Sequence, residues 1–196
     1  MFRFLESICF RSDVYQLLDY HQVRVDQTFR RFYPDKTPLK LNEIMPELSG
    51  NEKVKVRLIY NELDHEISVS KYLPKTISKL RLAYSDTLDY SFKYLDRSML
   101  NQLLNPEQEN EEIIIVKDGL VTDSSYSNLV FRQGNVWYTP STYLLNGVKR
   151  QRLLQQEVIF EREIRPEDLD KYSEVSLINA MLDPGDISLP VDNIIR

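Results

Sequence analysis

The chain has 196 residues, of which 42% are hydrophobic and 28% charged, a composition typical of one or two globular domains that excludes a disordered or fibrous chain. Its 25 basic and 30 acidic residues give a net charge of −5, which disfavours general binding to nucleic-acid phosphates, so no nucleic-acid partner is expected. Cys9 is the only cysteine, which excludes an intramolecular disulfide and a four-thiolate zinc site. No metal site is predicted, and a reducing compartment is favoured.

The start of the chain, MFRFLESICF, contains an acid and no sustained apolar run, which disfavours a signal peptide, and no later segment reaches the length of a membrane span. We therefore expect a cytoplasmic protein without a membrane partner. RFLESICF predicts a strand, and the Ser-Asp pair after it predicts the cap of a helix from about Val14 to Arg31. Beyond three prolines, three further strands are predicted in KVKVRLIYN, HEISVSKYL and SKLRLAYSD. Residues 1–86 are thus predicted to form a small α+β domain with an antiparallel sheet.

Residues 87–92 are predicted to be a linker, and residues 93–196 a strand-rich second domain that begins with a helix at Lys93. In EEIIIVKDGLVTDSSYSNLVFRQGNVWYTP, an Asp-Gly pair and a Gly-Asn pair mark tight turns between apolar runs. A helix is then predicted to start after the Asn-Gly pair of LLNGVKRQRLLQQEV, and SEVSLINAML predicts another strand.

Six short segments occur in a particular order: FLES, HQVR, KYLDR, GLVTDSSYSNLVF, YTPSTYLLNGVKRQ and LINAM. In this order they resemble the successive motifs of the class IV aminotransferases, which use pyridoxal phosphate (PLP) and include branched-chain and D-amino-acid aminotransferases and aminodeoxychorismate lyase. The resemblance covers nearly the whole chain and is most specific from Lys93 to Met181. KYLDR is similar to the K-T-L-N-R of the lyase branch, with Asp96 in place of the common Asn. Each segment alone is weak evidence, but the ordered set is not.

The resemblance implies an α+β, two-domain PLP fold of the D-amino-acid aminotransferase type, fold type IV. The segment before the first family strand and the stretch between Arg24 and Lys93 are both shorter than usual in the family. A shortened N-terminal domain is therefore expected, and the substrate pocket is the least transferable feature.

Three residues match family positions that hold the cofactor. Lys93 matches the lysine that forms a Schiff base with PLP and later moves protons, which requires a lowered lysine pKa. Asp123 matches the carboxylate, usually Glu in the family, that keeps the pyridine nitrogen protonated; alternatively it only caps a turn. Arg24 matches the arginine that contacts the phosphate, where a guanidinium fork suits the oxygens; the alternative is a solvated helix position.

Five further residues match positions near the phosphate. Gly147 matches the glycine of the family's N-G-I-x-R turn, and the amides of Val148 and Lys149 are expected to open a helix toward the phosphate. Lys149 could instead belong to a solvated helix face. Asn179 and Ala180 match the family's N-A pair near the phosphate and the substrate; otherwise they end a buried strand.

Ser7, Cys9 and Arg11 lie on one side of the first strand, because strand side chains alternate. In the family this side lines the substrate pocket. Ser7 matches a threonine of the lyase branch and is a candidate catalytic hydroxyl. Cys9 replaces a position that is often basic, and Arg11 could supply the missing charge for a substrate carboxylate. Ser7 and Cys9 could equally be small packing residues.

The resemblance implies a PLP-dependent enzyme acting on a small-molecule amino substrate, with 4-amino-4-deoxychorismate lyase as first choice. That lyase eliminates pyruvate to leave 4-aminobenzoate. A branched-chain or D-amino-acid aminotransferase is the alternative, and a non-catalytic relative that binds PLP is a remote one. A homodimer is expected by resemblance alone.

Overall fold

The computed structural model describes residues 2–196, which form two compact units. The first unit comprises the chain up to Leu73 together with Phe92–Asp96, and the second comprises Pro74–Ser91 and Arg97–Arg196. Within the described residues, no helix is both long and apolar enough to cross a membrane.

These packing units follow a different division from the predicted domains 1–86 and 93–196 with their linker 87–92. The strand Lys79–Tyr84 pairs with a strand of the second unit, and Phe92–Asp96 runs beside the first strand of the chain. The predicted domain boundaries stay a prediction, because a packing unit is not by itself a folding domain.

The first unit consists of a four-stranded antiparallel sheet and a long helix. Its elements are β1 (Phe4–Arg11), β2 (Val14–Tyr15), α1 (Leu18–Phe32), α2 (Leu41–Ile44), β3 (Val54–Tyr60) and β4 (His65–Lys71). The strand order is β2-β1-β3-β4. The predicted first strand, the strands of KVKVRLIYN and HEISVSKYL and the antiparallel pairing of these three are therefore confirmed.

The start of α1 differs from the prediction. Ser12 and Asp13 both have positive φ, 53° and 61°, and form the two-residue turn of a β1–β2 hairpin. The side chain of Asp13 accepts the N–H of Gly50 at 2.7 Å rather than capping a helix. Because the hairpin takes up residues 14–15, the helix begins at Leu18, and the predicted start at Val14 is wrong.

Alternation along β1 sorts its side chains onto two faces. Phe4, Ile8 and Phe10 are almost fully buried in the same apolar cluster as Val25 and Phe29 of α1. Glu6 occurs on this face of the strand, among those apolar residues, and is also fully buried. One charged residue is therefore placed inside the core between sheet and helix.

The second unit contains two sheets. Its elements are β5 (Lys79–Tyr84), α3 (Ser98–Gln102), β6 (Glu111–Lys117), β7 (Leu120–Val121), β8 (Asn128–Gln133), β9 (Val136–Pro140), α4 (Val148–Gln155), β10 (Ile159–Arg162), a 3-10 turn (Pro166–Lys171), β11 (Glu174–Ile178), β12 (Ser188–Pro190), a second 3-10 turn (Val191–Asn193) and β13 (Ile194–Ile195). The sheet orders are β13-β5-β6-β7 and β10-β9-β8-β11-β12.

The strand β5 was expected in the antiparallel sheet with its two predecessors. It pairs instead in parallel with β6, with Leu80 opposite Glu112, so that expectation is wrong. The five central residues of β6, from Glu112 to Val116, are all buried, as is common for strands of parallel sheets covered on both faces. The two predicted tight turns are confirmed by positive φ at Asp118, Gly119 and Gly134.

Candidate active site

Asp123 supplies a buried carboxyl group in the second unit, two residues after β7. Its Oδ2 accepts the N–H groups of Leu144 at 3.0 Å and Leu145 at 2.9 Å, and its Oδ1 accepts the side-chain amide of Asn128 at 2.8 Å. Burial raises the pKa of Asp123 to about 6, although these three donors and the charge of Arg150 act in the opposite direction. The carboxylate is thus hydrogen-bonded by neutral groups and stays costly to ionise.

Asn128, the first residue of β8, connects Asp123 to the segment before α4. Its Nδ2 also donates to the carbonyl of Leu145 at 2.9 Å. A Cβ atom added to Gly147 would lie only 2.1 Å from Asn128 Oδ1, so this arrangement requires glycine at position 147. The side chain of Asn128 therefore holds the Asp123 carboxylate and the segment before α4 together.

The N-terminus of α4 follows directly after Gly147, as predicted. No side chain within residues 2–196 caps this end, where the amides of Val148 and Lys149 lie in the first turn and favour an anion. Lys149 donates to Asp183 at 2.5 Å, and its side chain is only 15% exposed. The solvated-face alternative therefore does not describe Lys149. Arg150 is buried and pairs with Glu161.

Asn179 and Ala180 form the turn after β11, and both are half-buried. The side-chain amide of Asn179 donates to Ser127 Oγ at 2.8 Å, and its oxygen accepts the N–H of Met181 at 2.8 Å. Ser127 belongs to the loop between Asp123 and β8. This turn is therefore joined to the loop that carries the carboxylate.

In the first unit, Glu6 of β1 binds two side chains of α1. Arg24 donates through Nε to Glu6 Oε1 at 2.8 Å and through Nη2 to Oε2, and Oε2 also lies 2.6 Å from His21 Nδ1. Burial would raise the pKa of Glu6, but the charge and hydrogen bonds of Arg24, with help from His21, hold it at about 2. Arg24 is 7% exposed, so it is not a solvated helix position.

Lys93 lies in an extended segment, and the next helix begins at Ser98, so the prediction that Lys93 opens a helix is wrong. Its carbonyl accepts the N–H of Leu5 at 3.0 Å. Phe92 and Tyr94 on either side both pack on Phe32, with ring centroids 4.8 and 6.0 Å away, which favours an extended backbone here. Lys93 is half-buried, and its charge adds to burial in lowering the pKa of His21.

Ser7, Cys9 and Arg11 occupy alternate positions of β1, on the face opposite Glu6. Ser7 is half-buried, Cys9 is buried with 4% exposure, and Arg11 is exposed. The predicted common face is thus present. Their roles toward a substrate stay predictions.

The structure places the predicted residues in two groups. The first unit contains Lys93, Arg24, Ser7, Cys9 and Arg11, and the second contains Asp123, Gly147, Val148, Lys149, Asn179 and Ala180. The amides of Leu144 and Leu145 and the Glu6 carboxylate were not predicted as part of these groups. A charged residue inside the apolar run of β1 is the signal that could have identified Glu6.

The fold and the two polar groups define a member of a family of PLP-dependent enzymes. The sequence profile of the family Amino-transferase class IV matches residues 5–188, and the chain belongs to this family. The family and fold predictions are confirmed.

Two relatives are similar over most of their length. An uncharacterized protein of Haemophilus influenzae Rd is 37% identical over 186 residues, which cover 92% of this chain and 98% of that one. The crystal structure of a candidate 4-amino-4-deoxychorismate lyase of Haemophilus somnus 129PT is 37% identical, with a TM-score of 0.86, 92% of this chain covered and 97% of the other. The branched-chain amino acid aminotransferase of Escherichia coli shares the fold, with a TM-score of 0.72 at 15% identity and coverage of 98% and 76%.

Proposed function

We propose that this chain is a PLP-dependent 4-amino-4-deoxychorismate lyase, which releases pyruvate from its substrate and leaves 4-aminobenzoate. The observation that carries this choice is the 37% identity, over 92% of the chain, to the candidate lyase of Haemophilus somnus. The lyase-like segment KYLDR around Lys93 supports the same branch of the family.

The residues in hand fit PLP by the chemistry of their donors and acceptors. The cofactor carries a pyridine nitrogen, a phosphate and an aldehyde, and when bound it supplies an electron sink for a carbanion on the substrate. Asp123 accepts three hydrogen bonds, whereas a carboxylate offers about four acceptor positions, so it can accept one more from a protonated ring nitrogen. Its donors are all neutral, which leaves its charge without a hydrogen-bonded cation.

The phosphate requires cationic or N–H donors. Family resemblance assigns to it the guanidinium of Arg24, in the first unit, and the amides of Val148 and Lys149 at the start of α4, in the second unit. Asn179 and Ala180 are assigned to the same region by family resemblance. The shorter Asp at position 123, where the family usually has Glu, is the main departure from the family pattern in this set.

Lys93 is assigned two roles: to hold the cofactor covalently, and then to take the proton from the substrate carbon with its freed amine. Its half-buried position, in a segment whose backbone bonds to β1, supports this assignment, and the lysine must be deprotonated when it reacts. Ser7 is a candidate for delivering a proton to the departing fragment, and Cys9 and Arg11 are candidates for the substrate-facing surface.

The test uses Lys93→Ala and the matched control Lys71→Ala, which removes an exposed lysine of β4. Purified protein is incubated with PLP, reduced with borohydride and mapped by peptide mass. We expect a label at Lys93 in the native chain and in Lys71→Ala, and none in Lys93→Ala. A label scattered over surface lysines would contradict the assignment of Lys93.

Substrate assays then separate the candidate reactions. Pyruvate release from 4-amino-4-deoxychorismate without a keto-acid acceptor is expected and would identify the lyase. Turnover of an amino acid only when an acceptor is present would identify the alternative, a branched-chain or D-amino-acid aminotransferase. A labelled Lys93 with neither activity would identify a PLP-binding relative without turnover.

We also propose a homodimer in the cytoplasm, on family resemblance. Sedimentation equilibrium with and without PLP tests the dimer, and a monomer at micromolar concentration would contradict it.

A further inference from the structure

Glu6, His21 and Arg24 form a charged cluster in the apolar interface between β1 and α1. The side chains of Glu6 and His21 are completely buried, and that of Arg24 is 9% exposed. Their neighbours on these two elements include Ile8, Val25 and Phe29, which are all buried. The cluster therefore occupies the place that apolar side chains would fill.

Stability does not account for this cluster. Taking ions out of water costs several kcal/mol each, so replacing a buried ion pair by apolar residues is often neutral or stabilising. In addition, no group among residues 2–196 forms a hydrogen bond with His21 Nε2, and a buried polar atom without a partner costs about 1–3 kcal/mol. A rigid cluster that apolar side chains could replace at little or no cost in stability is better explained by positioning.

The geometry fixes one edge of the Arg24 guanidinium. Glu6 takes both Nε and Nη2, so the edge with Nη1 is turned away from the carboxylate. Glu6 Oε2 also accepts a hydrogen bond from His21 Nδ1, and this third bond restrains rotation of the carboxylate about the Cγ–Cδ bond. Because Glu6 is on a central strand of the sheet, the direction of the Nη1 edge is set by the backbone of β1.

We propose that Glu6 and His21 are positioning residues that orient the Arg24 guanidinium for a phosphate monoester. This proposal rests on the proposed function, in which the phosphate is that of PLP. A carboxylate accepts only from donors, so His21 carries a proton on Nδ1. Its Nε2 is buried without a hydrogen-bond partner and burial lowers the pKa of the ring, so the imidazole is neutral and the three side chains sum to zero charge. Phosphate binding then depends on the direction of the Nη1 edge of Arg24 rather than on excess positive charge.

The experiment compares PLP with pyridoxal, the same aldehyde without its phosphate. The ratio of the two dissociation constants, measured by absorbance titration of the purified full chain, reports the phosphate contribution alone. For His21→Leu, which removes the Nδ1 donor, we expect this ratio to fall about tenfold, with pyridoxal affinity unchanged. His21→Asn, whose amide nitrogen takes the place of Nδ1, should restore most of the ratio.

Thr28→Val is the matched control for lost stability. Thr28 is a buried polar residue of the same helix, and its hydroxyl donates to the backbone carbonyl of Arg24 at 2.9 Å. We expect a lower melting temperature and an unchanged ratio. If His21→Leu behaves in the same way, the cluster is only structural and the proposal is wrong.

Two further results keep the proposal separate from the proposed function. If the native chain binds PLP at Lys93 but no tighter than pyridoxal, the positioning proposal fails and the PLP enzyme stands. If the native chain binds neither compound, both fail. If His21→Leu does not fold, Glu6→Gln replaces it: the amide cannot serve Nε, Nη2 and Nδ1 together, so the ratio must fall, and an unchanged ratio overturns the proposal.

Discussion

Gly147→Ala tests how the buried carboxylate of Asp123 is held. The backbone of Gly147, with φ −66° and ψ 144°, is open to any L residue, so alanine adds no backbone strain. The new methyl group would instead lie 2.1 Å from Asn128 Oδ1 and 3.3 Å from Asn128 Cγ. Ordinary contact needs more than 3 Å, so the buried Asn128 side chain must move by about 1 Å. Its two hydrogen bonds, to Asp123 and to the Leu145 carbonyl, cannot both survive.

The cost follows from those two bonds. A hydrogen bond to a charged group contributes about 1.5–3 kcal/mol and a neutral one about 0.5–1.5 kcal/mol. Replacing glycine by alanine where the backbone is unstrained stabilises the folded state by about 0.4–1 kcal/mol, because it lowers the conformational entropy of the unfolded chain. We therefore expect Gly147→Ala to lower the free energy of unfolding by roughly 1–4 kcal/mol. The pKa of Asp123 should also rise above its native value of about 6, because the Asn128 donor lowers it.

The assay is urea unfolding of the cofactor-free protein in a double-mutant cycle with Asn128→Ala. In the Asn128→Ala background the added methyl group meets no side-chain oxygen, so Gly147→Ala should cost nothing or stabilise slightly. Strong non-additivity is thus the signature of the clash. If the two substitutions were simply additive, the contact between residues 147 and 128 would not be the cause and the reasoning would be refuted.

Two titrations with opposite signs follow from the buried carboxyl groups. The pKa of Glu6 is about 2 in the folded chain against 4.5 otherwise, so its contribution, roughly 3 kcal/mol, is complete above pH 4.5 and is lost as the pH falls toward 2. Glu6→Gln should flatten the fall of urea midpoints over that range, and an unchanged slope would contradict the assignment. For Asp123 the pKa is about 6 against 3.8, so the cofactor-free chain should lose roughly 3 kcal/mol as the pH rises from 3.8 to 6. Asp123→Asn should abolish that loss, and a carboxyl carbon titration by NMR with a midpoint near 4 would disprove it.

Local signals were sufficient for most elements of the fold. Alternation identified β1, β3 and β4, and the Asn-Gly pair identified the start of α4, because these features depend on neighbouring residues. The partner of β5 could not be read in this way. Its parallel pairing with β6 joins segments about thirty residues apart, and the order of strands in a sheet has no local code.

The candidate site shows the same division. Ordered motifs identified the family and nominated Lys93, Asp123 and Arg24, since motif spacing is carried by the chain itself. The contacts of each side chain depend on tertiary packing. Glu6 reaches Arg24 only because β1 lies against α1, and Asn128 contacts Gly147 although the two residues are nineteen positions apart in the sequence. The sequence predicted a helix that begins at Lys93, but Phe92 and Tyr94 on either side of it pack on Phe32, and the backbone there is extended.

The buried carboxylates of Glu6 and Asp123 differ in the charge of their hydrogen-bond donors, and this difference indicates which of them could bind a further cation. Glu6 already has a guanidinium partner, whose charge and hydrogen bonds hold the pKa of Glu6 at about 2 despite its burial. Asp123 receives three neutral donors, and burial keeps its pKa at about 6. A positively charged ring nitrogen would gain little beside Glu6, where it would compete with Arg24. Beside Asp123 it would stabilise the ionised carboxylate and so offset the free-energy cost of burying that charge. This supports the proposal that Asp123 is the partner of the cofactor nitrogen.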